Sequence, residues 1–230
     1  MKSGFTLTRA RGTVASAPQT LPGGFPKVLL ASAVLWLLAV SSGLWVLWGY
    51  ENRPGLVAQP PARWPTDSRI RRSEDHATLV MLAHPHCPCT RASIGELASL
   101  MAQTRGQMTA YVLFLQPAGF DDGWVKSDLW QTAAVIPGVI PLVDHAGAEA
   151  QHFNAATSGQ TILYDAQGRL MFSGGITASR GHSGDNAGRS SVASLVNFGA
   201  TDRTETFVFG CPLFNKDSEC QGSKHEIDSH

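Results

Sequence analysis

Residues 79–101 read LVMLAHPHCPCTRASIGELASLM, and this stretch decides the fold. An apolar run stops at His84-Pro85-His86-Cys87-Pro88-Cys89. A pattern with Ile94, Leu97, Ala98 and Met101 on one side follows at once. The run is short and uninterrupted, as in a strand buried on both faces over 77–83. The spacing after it has helical period and predicts a helix over 90–105. Two of the chain's 4 cysteines therefore fall at a strand-to-helix junction.

Downstream the same alternation repeats. TAYVLFLQP (109–117) predicts a second strand, and 122–136 a helix that Pro137-Gly138 ends. A short strand over 139–144 and a helix over 145–155 follow. TILYDAQGRLMFSGG (161–175) places two β runs around Asp165-Ala166-Gln167-Gly168, a hairpin turn. A Gly/Ser/Asn loop from residue 176 leads to a last helix over 191–198. Strands separated by helices pair in parallel through crossovers, and the hairpin adds an antiparallel strand. The expected fold class is α/β, a mixed central sheet flanked by helices.

Upstream, residues 28–50 read VLLASAVLWLLAVSSGLWVLWGY without a charge. At ~1.5 Å per residue such a helix crosses a hydrocarbon core of roughly 30 Å. It is longer than a signal-peptide apolar core, so 27–50 is expected to be an uncleaved signal anchor. Trp45, Trp48 and Tyr50 gather at one end, as an interfacial aromatic belt does. Lys2, Arg9, Arg11 and Lys27 precede the span and favour a cytoplasmic N-terminus. The divisions expected are a disordered lead (1–26), the anchor (27–50), a Pro-rich spacer (51–68), the folded domain (69–204) and a Cys-containing tail (205–230). A formal net charge of +0 gives no reason to expect nucleic acid as a partner.

A strand, a cysteine turn, a helix and a late hairpin before a final helix resemble the thioredoxin-like fold. The likeness is greatest to membrane-anchored bacterial thioredoxins and their peroxiredoxin-like relatives, and it covers roughly residues 70–200. It rests on Cys87 at the junction and on the D-x-x-G hairpin at Asp165–Gly168. The resemblance implies a single-pass protein of the bacterial inner membrane with its soluble domain in the periplasm, where cysteine pairs persist as disulfides. It implies thiol–disulfide exchange with protein thiols, or with a membrane electron donor, and lipid contact through one helix. The chain departs from the family twice. Thr90 stands where the second cysteine of C-x-x-C belongs, and Gln160, before Thr161, stands where the family has its cis-proline.

The residues themselves support reactive-thiol chemistry. A cysteine at a helix start meets unpaired backbone N–H groups, which stabilise its thiolate. Cys87 is placed for this, with His84 and His86 near enough to add charge or relay protons. Its resolving thiol is either Cys89, through a small strained ring, or Cys211 in the apolar VFGCPLF segment. Cys220 is a weaker candidate in a polar tail. In the loop after the hairpin, Arg180 or His182 could meet the thiolate. This chemistry needs no cofactor. The alternative is a copper-binding metallochaperone holding the ion with His84, His86, Cys87 and Cys89.

Overall fold

A computed structural model describes residues 25–56 and 58–214. The disordered lead expected over 1–26 lies almost wholly outside the described residues, as does Cys220. The described residues form two compact units that divide between Val46 and Leu47. The first is the greater part of helix α1 (Phe25–Glu51). From Pro26 to Glu51 this helix is long and apolar enough to cross a membrane, and its window is 0% buried. Burial in a core of this chain is therefore not the reason for its composition.

The second unit carries a five-stranded sheet in the order β3-β2-β1-β4-β5. Strands β1 (Ala77–Ala83), β2 (Met108–Gln116) and β3 (Val139–His145) run parallel. Strands β4 (Thr161–Tyr164) and β5 (Leu170–Gly174) form the antiparallel hairpin, with β4 paired against β1. Gly168 closes the hairpin turn at φ +74°, a conformation other residues rarely adopt. The fold is thioredoxin-like, as the order of elements predicted.

Alternate residues of β1 feed two separate cores, because successive side chains of a strand point to opposite faces. Leu79 and Met81 pack with Ile94, Leu97 and Leu100 of α2 (Pro88–Thr104) and with Val192 of α6 (Ala187–Phe198). Val80 and Leu82 pack with Phe153, Ile162 and Tyr164. The expected helix over 122–136 is two, α3 (Asp122–Val125) and α4 (Asp128–Ala134). The Asp121 carboxylate accepts the Trp124 N–H to start the first. The break at Ser127 turns its hydroxyl toward the strand-end loop, where it donates to the Pro85 carbonyl at 2.9 Å.

The second core is only partly roofed by helix, since α5 (Ala148–His152) is short. Chain from outside 69–204 covers the remainder. Trp64 sits edge-on to Phe153 and Tyr164, with centroids at 5.1 and 5.2 Å. The spacer expected over 51–68 lies along the domain. The Tyr164 hydroxyl donates to the Pro61 carbonyl at 2.9 Å, and the Trp64 N–H donates to Gly168 O at 2.8 Å. From the other end of the chain, Leu213 enters the same core. Both flanks extend the folded unit, because an apolar sheet face left open to water costs free energy in proportion to its area.

Candidate functional site

Cys87 is the N-cap of α2, with φ −84° and ψ 117°, and Pro88 is the first helical residue. Proline fits there because the N–H it lacks would have had no partner. No side-chain oxygen caps this 17-residue helix, so the sulfur of Cys87 occupies the place where an anion is favoured. Cys87 is 1% exposed, and its sulfur lies 2.9 Å from the sulfur of Cys211.

The pair shares one negative charge unequally. Cys87 is lowered to about 4, chiefly because the Cys211 thiol donates to its thiolate. Burial opposes this, and the Thr90 hydroxyl and the backbone N–H groups of Cys211 and Thr90 reinforce it. Cys211 is pushed far up for the converse reason, since losing its proton ends that bond and leaves two charges in contact. Cys87 is thus the thiolate and Cys211 the proton donor. With the pKa depressed from 9.0, the thiolate persists at neutral pH and is lost only as pH falls through about 4. We predict that the reduced chain retains one thiolate absorbance at 240 nm down to about pH 5, and that Cys87→Ser removes it. A thiolate signal that rises only above pH 8 contradicts this assignment.

Cys211 arrives on a segment that pairs with the loop before β4. The Ser158 N–H donates to Cys211 O at 2.8 Å, the Leu213 N–H donates to Ala156 O at 2.8 Å, and Thr157 and Pro212 form an antiparallel bridge. Gly210 passes so close that a Cβ there would stand 1.8 Å from the Ser158 carbonyl oxygen. Ser158 joins all three parts of the site. Its hydroxyl accepts the His84 N–H at 2.8 Å and bonds the Thr90 hydroxyl at 2.7 Å. Sequence reasoning did not single out Ser158, because its role exists only once residues 156–160 fold beside the start of α2. The signal for Gly210 was present: a glycine beside a cysteine in an otherwise apolar run.

The remaining candidates divide clearly. Cys89 is buried near Cys87, and burial first, then the Cys87 charge, raise it. It stays a protonated thiol. Arg180 lies beside the site: it donates to Gly210 O at 2.7 Å, and its charge favours the thiolate forms of Cys89 and Cys211. His84 is lowered by burial despite the attraction of the Cys87 charge, so it is neutral at pH 7. His86 turns outward, its ring 3.0 Å from the Trp124 carbonyl and 4.7 Å, centroid to centroid, from the indole. Trp124 therefore borders the site.

His182, in contrast, bonds Glu51 at 3.3 Å. Gln160 is buried and directs its amide to Ala58 O at 3.2 Å, tying the flanking segment to the domain. Thr161 lies within β4 and donates its hydroxyl to Gly159 O at 3.2 Å. Among the described residues, no group of three or more His, Cys, Asp or Glu side chains is placed to hold a metal ion. His84, His86, Cys87 and Cys89 do not converge on one point.

No family model and no curated protein matches the sequence. Solved structures do match. An uncharacterized conserved protein from Geobacillus kaustophilus aligns with 73% of this chain and 93% of its own, at 17% identity and a TM-score of 0.50. A hypothetical protein from Sinorhizobium meliloti 1021 aligns with 71% and 97%, also at 17% identity and a TM-score of 0.50. A thioredoxin-like protein in the oxidized form is more remote, covering 64% and 93% at 16% identity and a TM-score of 0.41. At these identities the likeness is one of fold.

Proposed function

We propose that this chain is a membrane-anchored thiol–disulfide oxidoreductase whose working couple is Cys87 with Cys211. The observation that supports it is the 2.9 Å approach of the two sulfurs, one lowered and the other raised by the same contact. Oxidation joins them with loss of two electrons and the remaining thiol proton, and needs little movement. Cys89 is the poorer partner. It lies in the first turn of α2, two residues from Cys87, and closing that ring strains the turn that the Thr90 N–H holds to Cys87 O at 3.1 Å.

A stabilised thiolate favours the reduced state, so the Cys87–Cys211 disulfide is an oxidant toward ordinary thiols. The partners are then protein thiols, with a membrane electron carrier restoring the disulfide. The α1 helix anchors the domain in the bacterial inner membrane, with the site on the periplasmic side where disulfides persist. Mild oxidation of the full-length chain, followed by alkylation and peptide mapping, is expected to show one bond between Cys87 and Cys211. Cys89 should be alkylated. A Cys87–Cys89 ring, or four alkylatable thiols, overturns the couple.

A further inference from the structure

The two cysteines of the couple are not equally exposed. Cys87 is 1% exposed, while Cys211 is partly exposed. Exchange at a disulfide requires the incoming sulfur to approach in line with the bond, behind the atom attacked. Cys87 is enclosed at the start of α2, where buried Thr90 bonds its sulfur and is itself tied to Ser158. Cys211 lies at the other end of that bond, on a strap that pairs with the domain through a single bridge, Thr157 with Pro212. This strap is fastened at Gly210 O by Arg180, at Cys211 O by the Ser158 N–H, and at Leu213 by burial.

We propose that Cys211, on the C-terminal strap, is the sulfur that exchanges with thiol partners, and that Cys87 is the internal leaving group. This rests on the Cys87–Cys211 couple proposed above. A partner thiolate attacks Sγ of Cys211, the Cys87–Cys211 bond breaks, and its electron pair leaves on Cys87. A mixed disulfide now joins the partner to Cys211. A second thiolate of the partner attacks the partner's own sulfur in that bond, and Cys211 departs with the electron pair. Cys211 takes one proton and donates it again toward Cys87, while the partner's other proton goes to solvent. The partner dithiol has lost two electrons and the chain's disulfide has gained them. Exchange is faster when the leaving thiol is the more acidic one, and Cys87 is that thiol. In this order the strap is the docking element, and the helix-capping cysteine need not be reached from outside.

The test uses the oxidised full-length chain in detergent, treated with limiting glutathione in the presence of iodoacetamide. Acid quench and peptide mapping follow. The expected result is glutathione on the Cys211 peptide at least tenfold over the Cys87 peptide, with the alkyl group on Cys87. Glutathione carried mainly by Cys87, or a bond that glutathione leaves intact, overturns the assignment while leaving the couple standing. An oxidised chain without a Cys87–Cys211 bond at the outset refutes the couple itself.

Discussion

Replacing Cys211 with alanine is expected to stop redox turnover and, separately, to make Cys87 less acidic. The first effect follows from the geometry. Without Cys211 the chain has no sulfur in contact with Cys87 to close the working disulfide, and any oxidation of Cys87 falls to pairing with thiols from solution. Losing an intramolecular reactant already in contact costs on the order of 100-fold or more in rate. The second effect follows from the hydrogen bond. A bond donated to a charged group contributes roughly 1.5–3 kcal/mol. At ~1.36 kcal/mol per pKa unit, its loss raises Cys87 by about 1–2 units. Serine at 211 separates the two effects, because it restores a donor without a redox sulfur. Thiolate absorbance against pH and turnover of a model dithiol, measured on both variants, check this. Full turnover in Cys211→Ala removes Cys211 from the chemistry.

Gly210→Ala is expected to detach the strap while leaving every thiol in place. Its Cβ would lie 1.8 Å from the Ser158 carbonyl oxygen and 2.9 Å from the carbonyl carbon, both backbone atoms that cannot swing aside. Either the strap or the 156–160 loop must move. The strap is held by few bonds, whereas the loop joins β4, a central strand. Cys87 then loses its main proton donor and its cover together. Alkylation of Cys87 at pH 7 should quicken about tenfold or more despite the higher pKa, since access and not thiolate population limits it when the pKa is low. The disulfide should form at least tenfold more slowly on oxidation. Unchanged rates of both reactions mean that the strap does not cover the site. Far-UV circular dichroism spectra close to those of the parent chain are expected, because the strap contributes no helix and no strand of the sheet.

The fold was largely legible because its signals are local. β1, α2, β2 and the β4–β5 hairpin stand within a residue or two of the expected bounds. Burial on both faces, helical spacing and the Asp165–Gly168 turn each act over a few residues. The division of 122–136 at Ser127 was not legible, since the hydrogen bond that accompanies it runs to Pro85 in a distant part of the chain. Proline-rich composition predicts a spacer over 51–68, because it resembles a linker. Trp64 was the contrary sign, a large apolar surface without a partner in its own neighbourhood.

The site divides in the same way. Cys87 at a helix start behind a buried strand is readable from local sequence, because strand, turn and helix are set by neighbouring residues. The sequence thereby pointed to one thiol stabilised as an anion. It left Cys89 and Cys211 as rivals for the second place, and offered His84, His86, Gln160 and His182 without ranking them. Tertiary contacts separate these residues by position. Ser158 and Arg180 hold a strap from the far end of the chain against the start of α2, and this brings Cys211 to 2.9 Å from Cys87. Gln160 and His182 are drawn into bonds with Ala58 and Glu51 instead. The physical reason is separation along the chain. A contact across 124 residues is set by which surfaces bury each other, and no spacing rule within either segment encodes it.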